Sequence, residues 1–438
     1  MRIAVLTLKF PIISETFVLN QITGLLDRGH EVEIIAREKG PLETMHSDVM
    51  SYGLLDRTTY LTIPQSRVQR IIEASKIIGK LLTRQAKALV PVINHLLRFD
   101  ASKALRLVFD LDPLVGRPKY DVIHCHFGPA GELGRSLRKI GVLEGPLITT
   151  FYGYDITTFL KEHGERYYYD LFREGDLFLY LSDFIGKKLI RAGCPSRKSF
   201  RFRLGTDLRQ FSFSERHVRP GEVIRLLTVA RLVEKKGLEY SIKAVAQLIK
   251  THPSLKYDIV GEGPLHGELS NLIHELEVQD KIKLLGCRNK DEVRALYAKA
   301  HIFLLTSVTS SNGDEEGQGV VLQEAQAMGL PVVCTNHNGF PESIMPGESG
   351  FLVPEREVDA IVHQVSELIK NPQRWAEIGQ KGRRFVEREF DLNKRTDALV
   401  EVYQKLIRED SPSVLFRHAG ATNGDIADAS SERAAQFE

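Results

Sequence analysis

Short apolar runs and longer amphipathic segments alternate along most of the chain. In the first half, RIAVLTL, EVEIIAR, DVIHCHF, PLITTFY and LFLYLS predict strands, and SETFVLNQITGLLDRGH predicts a helix after the first of them. Short β-rich apolar runs separated by helices are typical of a parallel sheet. The first half is therefore predicted to be a doubly wound domain.

The same pattern begins again after a polar stretch, RLGTDLRQFSFSERHVRPGE, which predicts a linker. Beyond it, IRLLTVAR, LKYDIVG, IKLLG, HIFLLTS and PVVCTN predict strands with helical segments between them. The predicted fold class is α/β, with two doubly wound Rossmann-like domains facing across a cleft. We place the first domain at 1–205, the linker at 206–222 and the second domain at 223–390.

Length and composition agree with a two-domain protein and disfavour several classes of partner and site. The 438 residues exceed one ordinary core, so two domains of roughly 200 residues are expected. The net charge of +2 does not favour a nucleic acid partner. Four scattered cysteines without a CxxC pair predict neither a disulfide framework nor a zinc site and fit a reducing compartment. No apolar run approaches the ~20 residues of a membrane span, so we expect a cytoplasmic protein.

Two segments depart from the alternating pattern. Residues 66–108 are helical in period and carry nine Lys/Arg against Glu73 and Asp100, a local charge of +7. They predict either an inserted helix pair with solvated faces or a basic amphipathic surface that meets anionic lipid at the membrane. The tail, 411–438, is rich in Ala, Ser and Asp and is predicted to be disordered or loosely docked.

The segment EEGQGVVLQEA carries the first candidate chemistry. Gly317 and Gly319 allow backbone N–H groups to approach a ligand, and the helix that follows presents its positive end to an anion such as a diphosphate. Glu324, one to two turns inside that helix, is placed to accept hydrogen bonds from a ribose diol, and Glu316 from hydroxyls beyond the phosphates. The alternative from spacing alone is that Glu316 caps the helix and Glu324 is a surface residue.

Two more motifs follow predicted strands. In ARLVEKKG, Arg231 and Lys236 lie at a strand-to-helix turn, where two cations form either a diphosphate clamp or a surface charge cluster. In HCHFG, His126 is expected at the carboxyl end of a strand, facing the cleft, although a lone histidine there is more often structural.

The ends of two other first-domain strands supply further candidates. In FPIISETF, Ser14 is predicted to cap the first helix, with Glu15 and Thr16 in its first turn; a role in holding an acceptor is an additional hypothesis. TTFYGYDIT places Tyr152 and Asp155 at the end of another strand.

Two competing chemistries are disfavoured by the residues themselves. YDIVGEGPLHGE imitates a dinucleotide-binding fingerprint, but its glycine spacing is too long and the next strand end, LLGCRN, lacks the required acid. Asp110 and Asp112 form an acid pair in RLVFDLDPLVG, yet a helix C-terminus is a poor place for two carboxylates. We therefore expect neither a metal site nor a bound cofactor.

Taken together, these motifs resemble those of the retaining family-4 glycosyltransferases of the GT-B fold. Glu316 and Glu324 match the family's E-x7-E pattern, and ARLVEKKG matches its GRLvxeKG block, with Ala230 in place of the usual glycine. LKYDIVGEGPLHGEL, YLSDFIGKKLIRAGCP and RLGTDLRQF resemble further blocks. FPIISETFVLNQI and SSNGDEEGQG look closest to the exopolysaccharide, colanic-acid-type branch, and the resemblance covers about residues 1–410.

The resemblance implies roles for residues that would bind a nucleotide sugar donor. Arg231 and Lys236 would hold the diphosphate, Glu324 the ribose, and Glu316 the donor sugar, with His126 near the reaction centre. The remaining donor contacts implied are Gly317, the backbone amides of Gln318, Gly319 and Val320, the backbone near Cys287, and Gly261.

The implied acceptor contacts are Ser14, Glu15, Thr16, Tyr152 and Asp155. Two departures from the family affect them. Tyr152 replaces a histidine common in the TFHGYD block, and FPIIS replaces a glycine pair in the first loop.

The resemblance also implies an activity: metal-independent, retaining transfer of a hexose to a saccharide acceptor, which we expect to be lipid-linked. The leaving phosphate would help to take the acceptor proton, and a final helix at 391–410 would cross back onto the first domain. The alternatives are a nucleotide-sugar epimerase or hydrolase on the same fold and a non-catalytic partner protein.

Overall fold

Each half of the chain forms one parallel β-sheet covered by helices. The computed structural model describes residues 1–43, 45–84, 101–219 and 221–408. Because the carboxyl ends of parallel strands meet at one edge of a sheet, the loops after the strands of each half gather there.

The first sheet has the strand order β3-β2-β1-β4-β5-β6-β7, with every neighbouring pair parallel. Its strands are β1 (Arg2–Phe10), β2 (Glu31–Lys39), β3 (Thr58–Tyr60), β4 (Val122–His126), β5 (Leu147–Phe151), β6 (Leu177–Tyr180) and β7 (Ser199–Arg201). Its helices are α1 (Thr16–Asp27), α2 (Ser47–Ser51), α3 (Arg67–Arg84), α4 (Ala101–Leu111), α5 (Gly128–Lys139), α6 (Thr158–His163), α7 (Tyr169–Glu174) and α8 (Asp183–Arg191).

The second sheet has the order β10-β9-β8-β11-β12-β13, again parallel throughout. Its strands are β8 (Arg225–Val229), β9 (Lys256–Val260), β10 (Ile282–Leu284), β11 (Ile302–Leu305), β12 (Val332–Thr335) and β13 (Gly350–Val353). The helices are α9 (Leu238–Thr251), α10 (His266–Glu275), α11 (Lys290–Lys299), α12 (Val320–Ala327), α13 (Val358–Lys370), α14 (Trp375–Glu389) and α15 (Leu392–Arg408).

This topology confirms the predicted fold class. In both sheets the strand order reverses beside the first strand of the domain, between β1 and β4 and between β8 and β11. Ligands of doubly wound sheets bind outside the carboxyl ends of the strands at such a reversal. The short strands β3, β7 and β13 were not predicted.

Central strands are buried on both faces, which explains their unbroken apolar character. All residues of β4, β5, β11 and β12 are buried. Helices on both faces of a parallel sheet exclude water from both sides of its strands.

The last helix, α15, packs on the first domain rather than the second. Leu399, Val402 and Tyr403 join the apolar core around α1 and β1. Gly24 of α1 lies against Thr396, so close that an added Cβ would stand 2.9 Å from the threonine hydroxyl oxygen. α1 and α15 therefore approach each other over a glycine.

The chain passes between the domains twice, near Thr206 and near Phe390–Leu392, and these two segments are hydrogen-bonded to each other. The backbone N–H of Thr206 donates to the carbonyl of Phe390 at 2.7 Å, and the N–H of Leu392 donates to the carbonyl of Thr206 at 3.0 Å. An added Cβ at Gly205 would stand 2.6 Å from the Leu392 Cα, so the two crossings touch through their backbones.

The basic segment is helical where the structure describes it. α3 lies within it, and α4 begins within it and ends beyond it at Leu111, while 85–100 and the tail at 411–438 are outside the described residues. In the part of the chain that is described, no helix combines the length and the apolar character that crossing a bilayer requires.

We expect Tyr403→Ala to lower the free energy of unfolding by about 3–5 kcal/mol, the usual cost of deleting a buried aromatic ring. The ring is fully buried, and its hydroxyl is bonded to His124 at 2.5 Å. Urea denaturation followed by circular dichroism measures the change. Gln404→Ala, at an exposed neighbouring position, is the control, and equal effects of the two changes would contradict the docking of α15.

Candidate active site

The loop that ends at Glu316 and the start of α12 form the centre of the site. Gly317 follows Glu316, and an added Cβ there would stand 2.0 Å from the Tyr152 carbonyl oxygen of the first domain. Only glycine allows this approach between the domains. Gly319 precedes α12, and no side chain caps the helix.

Glu316 is buried at the cleft and paired with two lysines. Its carboxylate lies 3.0 Å from Lys236 Nζ and 3.6 Å from Lys235 Nζ. Burial by itself would raise the pKa of Glu316, but the lysine charges outweigh it and lower this pKa to about 2. The pair therefore contributes stability above the ordinary carboxyl pKa, and that stability is lost as the pH falls towards 2.

Glu324 lies in the same helix in a different environment. It is the fifth residue of α12, and its carboxylate accepts a hydrogen bond from the Tyr297 hydroxyl at 3.0 Å. Burial raises the pKa of Glu324 to about 7, although the bond from Tyr297 opposes this shift. The two acids of the E-x7-E pattern are thus held in opposite protonation regimes, one strongly ionised and one poised near neutrality.

The other predicted cation, Arg231, has an exposed position just beyond β8. Lys236 ends a short 3-10 turn at Glu234–Lys236, and Gly237 follows with φ +56° and its Cα against the Thr306 carbonyl. The left-handed glycine turns the chain sharply into α9, which leaves Lys235 and Lys236 directed at the loop that carries Glu316.

His126 is placed at the carboxyl end of β4 and is buried. Its Nδ1 lies 2.6 Å from the Tyr152 hydroxyl, and its ring stacks on His124 at 4.6 Å. Burial, followed by the neighbouring His124, lowers the pKa of His126 well below its usual range. The imidazole is therefore neutral at physiological pH.

His124, which lies beneath His126, has a structural role. Its ring nitrogens bond to the Tyr403 hydroxyl at 2.5 Å and to Thr150 Oγ1 at 2.7 Å. Burial lowers the pKa of His124 to about 3. This neutral ring joins α15 to the strand ends around His126.

Both carboxylate oxygens of Asp155 accept hydrogen bonds from the backbone. It accepts the backbone N–H groups of Tyr152 at 3.0 Å, Gly153 at 2.9 Å and Gly128 at 3.0 Å. Burial raises its pKa to about 6, against the lowering effect of these N–H groups. Asp155 thereby shapes the turn that positions Tyr152.

The prediction that Ser14 caps the first helix is wrong. α1 begins at Thr16, its preceding position is Glu15, and no side chain bonds to its first turn. Ser14 is exposed, and the loop before α1 closes through its backbone, since the Glu15 N–H donates to the Ile12 carbonyl at 3.1 Å. Burial raises the pKa of Glu15 to about 7.

The loops expected to meet the base lie side by side. The Gly261 N–H donates to the Gly286 carbonyl at 2.9 Å, and the N–H of exposed Cys287 donates to Glu262 at 3.3 Å. Gly261 has φ +136°, and an added Cβ would stand 1.9 Å from the Ala230 carbonyl oxygen.

Within residues 318–320, the Gln318 side chain forms hydrogen bonds between the two domains. The Gln318 side chain accepts from the Leu204 N–H at 3.1 Å and donates to the Leu204 carbonyl at 3.3 Å. The Val320 N–H donates to the Gln318 carbonyl at 3.1 Å. Lys188 of the first domain adds an ion pair with Glu315 at 2.7 Å.

Among the side chains that hold the Glu316 loop, sequence reasoning missed Lys235, His337, Glu355 and Lys188. Lys235 had a signal, since it lies beside Lys236 in the EKKG motif. His337 comes from a distant segment without a motif of its own, and Lys188 lies in the block YLSDFIGKKLIRAGCP, from which no role was inferred for it. Among the described residues, no group of three or more His, Cys, Asp or Glu is placed to hold a metal ion.

Comparison with known protein families matches both halves of the chain. Residues 14–210 match the model of Glycosyltransferase Family 4, and residues 210–385 match that of Glycosyl transferases group 1. A Salmonella typhimurium protein, WcaL, assigned to colanic acid biosynthesis as a glycosyltransferase, is 39% identical over 84% of this chain and 90% of its own length. The amylovoran biosynthesis glycosyltransferase AmsK of Erwinia amylovora is 34% identical over 93% of this chain and 100% of its own.

Solved structures show the same fold at low identity. HepE of Anabaena, determined in complex with UDP and glucose, superposes with a TM-score of 0.68 at 19% identity, over 92% of this chain and 99% of that chain. Sucrose-phosphate synthase of Thermosynechococcus elongatus gives a TM-score of 0.68 at 18% identity, over 93% and 99%.

We expect Lys236→Met to destabilise the protein, because it leaves the buried Glu316 charge with only the more distant Lys235. The expected loss is about 2–3 kcal/mol, below the ~3–5 kcal/mol of a fully unpaired buried charge. The double variant Lys236→Met/Glu316→Gln should recover most of the loss in urea denaturation at neutral pH. Lys243→Met, at an exposed ion pair, is the control. A double variant less stable than Lys236→Met would contradict the pairing.

Proposed function

Because this chain belongs to the group 1 family of glycosyltransferases, we propose that it transfers a hexose from a nucleotide diphosphate sugar to a saccharide acceptor. The observation that carries this proposal is the arrangement of Glu316, Lys236 and Glu324 around the start of α12. In this arrangement Lys236 is a cation that can bind phosphates. The two carboxylates, whose pKa values differ, can bind hydroxyl groups on either side of the phosphates.

The donor diphosphate is assigned to the start of α12 and the lysines that face it. No side chain caps α12, and its N-terminus presents the positive end of the helix dipole to an anion. Lys236 is held by Glu316 at 3.0 Å and would exchange this partner for phosphate oxygens. Arg231, exposed at the end of β8, supplies a second cation.

Glu324 is assigned to the ribose and Glu316 to the transferred sugar. A carboxylate binds a vicinal diol best when ionised, since it then accepts from both hydroxyls. When Lys236 turns to the phosphates, the ionised Glu316 is left with acceptor capacity that sugar hydroxyls would satisfy. Gly261 and the backbone at Cys287 lie on neighbouring loops, where we place the base.

We further propose retention of anomeric configuration without a metal ion. Lys235, Lys236 and Arg231 would provide the positive charge that offsets the departing diphosphate. His126, neutral and bonded to Tyr152, would lie at the reaction centre and donate to or accept from sugar hydroxyls without carrying charge. The leaving phosphate would take the acceptor proton.

The acceptor is proposed to be a lipid-linked saccharide of an exopolysaccharide pathway, at the inner face of the membrane. The names of WcaL and AmsK support the pathway class. α3 supports the membrane face: it carries five Lys/Arg and one acid, and Val68, Ile71 and Leu82 are 65%, 66% and 59% exposed. Exposed apolar side chains on a basic helix are typical of binding at an anionic lipid interface.

Binding of a nucleotide sugar should release a proton through Glu324 at a pH below about 7, because the diol favours the ionised carboxylate. Affinity should therefore fall as the pH is lowered through this value. A nucleotide sugar has no phosphate group that titrates near neutrality, so its own ionisation does not interfere. Calorimetry in buffers of different ionisation enthalpy counts the protons, using a panel of UDP-glucose and GDP-mannose.

Glu324→Gln should abolish this proton release and weaken binding about tenfold or more, since it loses one acceptor for the diol. Glu268→Gln, an exposed acid on α10, is the matched control. Equal proton release by the wild type and Glu324→Gln would remove Glu324 from the donor site.

Replacing the exposed apolar side chains of α3 should weaken membrane binding. We expect Val68→Ser/Ile71→Ser/Leu82→Ser to lower partitioning onto phosphatidylglycerol-containing vesicles at low salt by about tenfold. Vesicle sedimentation measures this, and Met50→Ser, an exposed apolar residue on α2, is the control. Wild-type protein that ignores these vesicles would contradict the membrane proposal.

A further inference from the structure

The loop that carries Glu316 is closed by hydrogen bonds within itself. Within residues 309–316, the Ser310 hydroxyl bonds to Asn312 at 2.7 Å and to the Asp314 carbonyl at 2.9 Å, and the Gly313 N–H donates to the Ser310 carbonyl at 2.8 Å. These internal hydrogen bonds make the loop compact. The position of Glu316 therefore depends on the contacts that hold this loop, which include Glu234 at Ser311 and Lys235 at Asp314 as well as the contacts at its two ends.

At the far end, Glu316 is held by a buried imidazole. The Glu316 backbone N–H donates to His337 Nε2 at 3.2 Å, and the Asn338 side-chain amide lies 2.9 Å from the same nitrogen. His337 is completely buried in the loop after β12. Two donors directed at Nε2 require that nitrogen to be unprotonated.

Glu355 fixes the tautomer of that imidazole and also holds the near end of the loop. Its Oε1 lies 2.5 Å from His337 Nδ1, which therefore carries the ring proton and donates it. Its Oε2 accepts the Thr309 N–H at 3.0 Å. The Glu355 carboxylate, just beyond β13, therefore holds both ends of the loop: it bonds directly to Thr309, and it acts through His337 on Glu316. We call the Glu355–His337 pair the clip.

The clip and the lysines act on different parts of Glu316. Lys236 holds its carboxylate, whereas His337 holds its backbone. If Lys236 turns to the donor phosphates, the carboxylate is released to the sugar, and the His337 bond continues to fix the residue. The precision with which Glu316 meets a sugar hydroxyl then depends on the clip, while the diphosphate contacts do not.

We propose that His337 and Glu355 are positioning residues that make the site prefer a nucleotide sugar over the bare nucleotide. This inference rests on the proposed function, in which Glu316 binds the transferred sugar. Neither side chain touches the substrate; both act through the Glu316 backbone.

The test compares nucleotide sugar and bare nucleotide on the same variants. Calorimetric affinities are measured for UDP-glucose against UDP and for GDP-mannose against GDP, all at the same pH of about 8. His337→Leu removes the acceptor for the Glu316 N–H. We expect its affinity for the nucleotide sugar to fall about tenfold and its affinity for the bare nucleotide to change less than about twofold.

Two further variants separate positioning from general disruption. His337→Gln places an amide oxygen where Nε2 was and should recover part of the lost preference. Glu355→Gln can satisfy only one of its two partners and should lose preference by a few-fold, which keeps the test decisive if His337→Leu does not fold. His363→Leu, an exposed histidine on α13, is the matched control.

The outcomes distinguish this inference from the proposed function. A folded His337→Leu with unchanged sugar preference, or with equal losses for sugar nucleotide and nucleotide, overturns the clip. Wild-type protein that binds none of the four ligands overturns the proposed function instead.

Discussion

A carboxylate buried between two lysines, Glu316 with Lys235 and Lys236, is the interaction on which the rest of the site depends. Burial disfavours the charged form of this carboxylate, and the two lysines keep it ionised. Because the lysines follow β8 and the acid precedes α12, the pair also ties two separate loops of the second domain together. A diphosphate that competes for the lysines would therefore remove the contact between the two loops and release the Glu316 carboxylate at the same time.

Local sequence was sufficient for the fold and for one helix of the site. Apolar runs of strand length with helices between them predicted both doubly wound sheets, and the eight-residue step from Glu316 to Glu324 predicted that the acids flank the start of α12. Both inferences concern neighbours in sequence, where periodicity and spacing translate directly into geometry. The roles assigned to the individual side chains stay predictions.

Contacts between loops were beyond sequence reasoning for a physical reason. His337 lies 21 residues from Glu316, and Glu355 follows another strand, so their hydrogen bonds arise only when parallel strands bring their carboxyl ends together. Asp155 was expected at an acceptor, yet its oxygens are engaged by backbone N–H groups. The Ser14 cap failed similarly, because the loop before α1 closes through its own backbone rather than through the preferred side chain.

The return of α15 to the first domain has a consequence for how the protein is made. Leu399, Val402 and Tyr403 complete a core whose other members lie near the N-terminus, and Tyr403 satisfies the buried His124. During synthesis the ribosome must release the whole second domain before these residues arrive. Until then, the nascent first domain carries an open apolar groove beside α1, so the order of synthesis delays the completion of the half that begins to fold first.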